Sequence, residues 1–173
     1  MSTWNFRLGL THETLIASAR TAIAAVASML IARSLKMPEF YWAPISTIVI
    51  LFSTINPRTL AWQRFAGTAV GAFLGALIAS YLPHNWIVYG IGIFVCGMLS
   101  SILRLGTAYR FAAIALSIVL LIAHDRSPWI VATHRFIEVS VGIAVALLMT
   151  LLWPIRPNTQ TPKAGSQKAP LEH

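Results

Sequence analysis

Arg135 and Glu138 stand three residues apart inside an apolar stretch, a spacing that puts both on one face of a helix. A carboxylate in such a place is either a proton-coupling group or the counter-ion that makes the arginine tolerable. Arg20 lies in another apolar run, seven residues beyond Glu13 and so about 10 Å along a helix axis. There it either lines a pathway for charge or snorkels back to the membrane surface. Arg64 and Arg110 each sit near the start of an apolar run, where a long side chain reaches headgroups or faces a wet cavity. His134 and Glu138 also hold i, i+4 spacing, with His124 and Asp125 on the same side, but neither a metal nor any other cofactor is expected.

The segment Tyr41-Trp42-Ala43-Pro44-Ile45-Ser46-Thr47 opens a span with aromatic rings, a proline and two hydroxyls. It reads as an interfacial belt with proline in the first helical turns, or as a mouth for aromatic or anionic solutes. Gly67, Gly71 and Gly75, continued by Ala79, form a stripe of small residues that lets helices approach closely, within the subunit or between two copies. An enzyme needs nucleophile, base and orienting group in one place. The serines are scattered in apolar runs, the histidines stand at span ends and no phosphate-binding loop precedes a soluble helix, so no enzyme is expected.

The elements that must position these residues follow from composition. Of 173 residues 57% are hydrophobic and 10% charged, against about 25% charged in soluble domains, and the mean hydropathy is +0.70. This is an all-α integral membrane protein, which excludes an intrinsically disordered chain. The lone Cys96 excludes an intrachain disulfide framework or thiolate cluster. A span needs roughly 20 apolar residues, and six runs fit: about Leu15 to Leu35, Phe40 to Ile55, Trp62 to Leu82, Trp86 to Leu103, Ala108 to Ala123 and Thr133 to Trp153. Lys36-Met37-Pro38-Glu39, Asn56-Pro57, Pro83-His84-Asn85 and the stretch from His124 to Pro128 are read as the breaks between them. Residues 1–155 thus make one transmembrane domain, and residues 156–173 a disordered polar tail whose final Leu-Glu-His resembles a tag remnant. No cleaved signal peptide is expected, since the first run carries Arg20.

All six tryptophans (Trp4, Trp42, Trp62, Trp86, Trp129 and Trp153) fall at or beside span ends, the level their amphipathic rings prefer. With the N-terminus inside, inner segments hold eight basic residues (Arg7, Arg58, Arg64, Arg104, Arg110, Arg156, Lys163, Lys168) and outer ones four (Arg33, Lys36, Arg126, Arg135). Both termini are therefore placed in the cytoplasm. That asymmetry accounts for an isoelectric point near 10.6 without any nucleic-acid partner. Residues 63–79 also align with 134–150 at an offset of 71, matching Arg64/Arg135, Phe65/Phe136, Val70/Val141, Gly71/Gly142 and Leu77/Leu148. Three-helix halves repeated in this way are inverted relative to one another, a transporter layout.

Taken in order, Arg20, Tyr41-Trp42, Arg64-x-x-Gly67-Thr68-x-x-Gly71, Tyr109-Arg110, Arg135-x-x-Glu138-x-x-x-Gly142 and Trp153-Pro154 resemble the fusaric acid resistance and aromatic acid exporter family. The likeness runs from about residue 14 to 154, and the six-helix module looks similar to that of plant aluminium-activated malate transporters. The resemblance implies a bacterial inner-membrane exporter of organic anions, aromatic carboxylates first among them, with proton antiport through Glu138 as an optional addition. Arg20, Arg64, Arg110 and Arg135, with Tyr41, Trp42 and Ser46, would line the pathway; Gly67, Gly71, Gly75 and Gly142 would pack the helices. An anion channel of the same architecture, or a membrane subunit that scaffolds a partner without transporting, are the alternatives. Larger family members carry two six-helix modules and a cytosolic region; a homodimer would restore twelve helices here.

Overall fold

The computed structural model describes residues 12–53, 55–103, 108–122 and 127–154. They form six α-helices: α1 (His12–Ser34), α2 (Trp42–Leu51), α3 (Pro57–Tyr81), α4 (Trp86–Ile102), α5 (Tyr109–Ile122) and α6 (Pro128–Leu152). Among the described residues there is no strand. Thr14–Ser34 of α1 and the 25-residue helices α3 and α6 are long and apolar enough to cross a membrane. The other three are shorter apolar helices. The polar tail, Trp4, Arg7, Arg104, His124, Asp125 and Arg126 lie outside the described residues.

Two prolines read as breaks are helix starts. Asn56 caps α3, its side chain accepting from Arg58 N at 3.0 Å, and Pro57 takes the first helical position, where a missing N–H costs nothing. Pro128 opens α6 in the same way after Ser127. Both helices therefore begin five residues earlier than Trp62 and Thr133, the starts expected from hydropathy. The second span is the largest departure: instead of Phe40 to Ile55, α2 has 10 residues, about 15 Å of helix. Tyr41 and its predecessors form a turn, with Trp42 N bonded to Glu39 O at 3.0 Å, and Phe52 ends the helix.

The interior is built from small residues. Ala24, Ala32, Ala43, Ala76, Ala112 and Ala146 are buried, whereas Trp86, Phe94, Ile102 and Leu152 are exposed. Such an inside-out pattern suits lipid, where close backbone approach replaces hydrophobic expulsion from water. Helix α3 packs on α5 and α6, α6 on α2, α1 on α2 and α6, and α4 on α5 and α3. A Cβ at Gly71 would strike the Ala112 carbonyl, and one at Gly67 the Ala108 carbonyl. The glycine stripe of α3 thus serves contact with α5 inside the subunit. A Cβ at Gly142 would strike the Ala43 carbonyl, so α2 and α6 touch in the same manner.

Candidate functional site

Helix α2 is held deep against α6 by Thr47, whose hydroxyl is shared between Ala43 O at 3.1 Å and Gly142 O at 3.0 Å. That contact sets Trp42, at the start of α2, beneath Arg135, seven residues into α6. The guanidinium carbon stands 3.4 Å from the Trp42 ring centroid, a cation–π contact strengthened by desolvation. The indole Nε1 donates to Glu39 Oε2 at 3.0 Å, and Glu39 N donates to Glu138 Oε1 at 3.2 Å. One turn along α2, Ser46 Oγ donates to Trp42 O at 3.0 Å and accepts from Arg64 Nη2 of α3 at 3.1 Å. Arg64 in turn lies 5.0 Å from the Phe111 ring of α5.

The result is one buried polar chain of Glu138, Glu39, Trp42, Ser46 and Arg64, with Arg135 stacked on its middle. Arg64 is 7% exposed, Arg135 3%, and Ser46 and Glu138 are fully buried. Arg64 Nε, Arg135 Nε and Nη1, and Glu138 Oε2 have no hydrogen-bond partner. Arg135 and Glu138 share a face as their spacing demands, and each has a further contact, the arginine on the Trp42 ring and the Glu138 carboxylate on the Glu39 backbone N–H. Buried charges of this kind are costly, and a protein that keeps them uses them or neutralises them.

The other sequence candidates fall outside this cluster. Arg20 is buried but donates from Nη2 to Thr150 Oγ1 at 3.2 Å, near the far end of α6. Arg110 is exposed beside the Tyr109 ring, and Tyr41 is 46% exposed, its ring 5.6 Å from that of Trp42. Gly67, Gly71, Gly75 and Gly142 all occupy helix contacts. Sequence reasoning missed Glu39, read only as a break between spans, and Phe111. The alignment at an offset of 71 gave no signal for the latter, because it pairs Trp42 with Ala113 rather than with Phe111, 69 positions on. Phe65 and Phe136, matched by the same offset, meet with ring centroids 4.9 Å apart. Cavities of about 280 Å³ beside Pro83, Trp86 and Tyr89, and about 250 Å³ between Phe73, Trp129 and Phe136, lie away from the charged chain.

An all-helical bundle with an apolar exterior, three membrane-length helices and arginines stacked on rings inside it defines a membrane protein with a buried charge cluster. The family described as Fusaric acid resistance protein-like matches residues 24–149, and the chain belongs to it. That segment includes every residue of the polar chain and leaves Arg20 outside. The chain is also similar to the inner membrane protein YeeA of Escherichia coli (strain K12), with 28% identity over 156 residues. The alignment takes 84% of this chain and 42% of the relative, so the chain spans less than half the length of that protein. No solved structure matches it.

Proposed function

We propose that the protein is an inner-membrane transporter that exports organic anions, aromatic carboxylates first among them. The observation that carries this reading is the pair Arg64 and Arg135, buried within membrane-length helices with guanidinium nitrogens left unpartnered. Guanidinium forks bind carboxylates in a planar, two-point fashion, and arginines that line a pore select anions. Trp42 and Phe111 beneath the two arginines hold the guanidinium groups by their ring faces and keep the neighbourhood aromatic. The name of the bacterial relative supports the membrane assignment.

In this reading residues 1–155 are one six-span domain followed by a polar tail, with both termini in the cytoplasm. Helix α2 is too short to cross alone, yet it lies among α1 and α6, where its ends are surrounded by protein rather than lipid. The two halves are inverted repeats. Exchanging α1, α2 and α3 for α4, α5 and α6 maps the packing onto itself: α3 on α5 becomes α6 on α2, and α1 on α6 becomes α4 on α3. Gly71 against Ala112 maps to Gly142 against Ala43, and Arg64 over Phe111 to Arg135 over Trp42. Transporters of this design bind at the repeat junction and expose the site alternately. Two copies of the chain form the working homodimer.

Flux of a hydroxybenzoate from proteoliposomes tests the proposal, with protein-free liposomes run alongside because neutral aromatic acids leak through lipid. The expected result is saturable, protein-dependent flux that Arg64→Gln and Arg135→Gln each reduce at least about tenfold, the loss of one charge-assisted contact. Undiminished flux in both variants would overturn the arginine pathway.

A further inference from the structure

The buried cluster balances its own charge. Counted as formal charges, Arg64 and Arg135 supply two positive and Glu39 and Glu138 two negative, all within contact of the Trp42–Ser46 turn or one residue from it. The proposed repeat does not share this evenly: Glu138 matches Gly67 at the offset of 71 between α3 and α6, and Glu39 matches Ala108 at the offset of 69 that the Ala43 and Ala112 contacts give α2 and α5, so both acids serve one half alone. The two carboxylates also differ. Glu39 is half-buried and its Oε2 holds the Trp42 indole N–H. Glu138 is fully buried, and its Oε2 faces no donor.

A monovalent anion that joined the two arginines alone would leave one uncompensated negative charge in a site with little water to screen it. We infer that the anion enters together with a proton, accepted at Glu138 Oε2, so that anion and proton cross the membrane in the same direction. This inference rests on the anion site proposed above. Antiport requires proton and substrate to exclude one another, whereas here each reduces the cost of holding the other. The groups around Glu138 agree with that sign. Arg135 stands one turn back on α6 and Glu39 donates its backbone N–H from the segment leading into α2, while Arg64 of α3 is held on Ser46 and Tyr41 is exposed. His134, on α6 itself, is partly exposed. From α1, Arg20 is committed to Thr150, twelve residues and about 18 Å further along α6. From α5, Arg110 is exposed beside Tyr109. None of these supplies a third positive charge to the buried chain. Coupling of this kind makes the protein a relief valve: acid leaves when the product of proton and anion concentrations is higher inside.

The test uses benzenesulfonate, which has no neutral form near pH 7 and so does not leak as an acid. Its flux into proteoliposomes is followed under a potassium diffusion potential set with valinomycin and, separately, under a pH gradient. The expected result is protein-dependent uptake indifferent to the potential, with about tenfold accumulation for each pH unit of inward proton gradient. In Glu138→Gln the remaining uptake follows the potential with one negative charge per anion and ignores the pH gradient. Wild-type uptake that carries one charge makes the protein uniport, and two charges make it an antiporter; either overturns the inference and leaves the transport reading standing. The wild-type charge count decides the matter even if Glu138→Gln does not fold. Hydroxybenzoate flux without sulfonate flux also overturns it, because a site defined by charge balance accepts both anions. Absence of flux for either anion overturns the transport reading itself.

Discussion

Trp42 holds three neighbours with three parts of itself: its ring face carries Arg135, its indole N–H holds Glu39, and its backbone carbonyl accepts from Ser46. Removing the ring removes the first two and leaves the third. Trp42→Leu is expected to cost about 3–5 kcal/mol, the sum of a desolvated cation–π contact and one hydrogen bond to a charged group. The drop should appear in the thermal midpoint of the detergent-solubilised protein, together with reduced anion flux. Trp42→Phe keeps a ring under the arginine and should lose less than half as much. Equal losses in the two variants would mean that the N–H to Glu39, not the ring face, carries the effect. At this scale the sequence was informative about charge and silent about partners. Arg135, Glu138 and Arg64 declared themselves by being ionisable in apolar runs. Glu39 did not, because beside Pro38 and Lys36 an acid looks like an ordinary loop residue, and only the tertiary fold brings its N–H to a carboxylate 99 positions away.

Among the elements, hydropathy located every helix, while boundaries depended on chemistry that hydropathy does not weigh. Asn56-Pro57 and Ser127-Pro128 end one polar connection and start a helix at once, and an average over apolar residues assigns them to the break. The length of α2 was illegible for another reason: Phe40, Tyr41 and Phe52 are apolar enough to extend a span, but the turn at Glu39–Trp42 removes the first two from the helix. The glycines offer a clean test of the packing. Gly71→Leu and Gly142→Leu place a side chain where the Ala112 and Ala43 carbonyls lie, and no rotamer escapes a backbone atom. Each should yield aggregated or poorly folded protein on size-exclusion chromatography. Gly90 and Gly97 of α4 have open space at the same position, so Gly90→Ala and Gly97→Ala should elute as the wild type does, with a thermal midpoint unchanged or slightly raised. A Gly142→Leu protein of normal elution and stability would refute the close crossing of α2 and α6, and with it the placement of Trp42 under Arg135.

At the level of the whole molecule, orientation would decide in what order an anion meets the two arginines under the proposed transport. Arg64 lies seven residues inside the start of α3, and Arg135 seven residues inside the start of α6, about 10 Å in each case. In the proposed six-span topology α3 and α6 run antiparallel, which makes these equal depths from opposite faces. In the proposed reading, with the termini in the cytoplasm, a departing anion would reach Arg64 and Ser46 first and then Arg135, where Glu138 stands with its unpartnered oxygen. Proton uptake at Glu138 would then come late on the way out. Cysteine accessibility checks the direction. The native thiol, Cys96, is fully buried and is replaced by Ala to give a silent background. His84→Cys, in the exposed connection between α3 and α4, and Arg58→Cys, exposed at the start of α3, report opposite faces. A membrane-impermeant maleimide added to intact spheroplasts should label His84→Cys and should reach Arg58→Cys only after permeabilisation. The reverse pattern would invert the molecule: the departing anion would then meet the Arg135 half first, proton uptake would be its first step rather than its last, and the excess of arginine on the inner side would need an explanation other than topology.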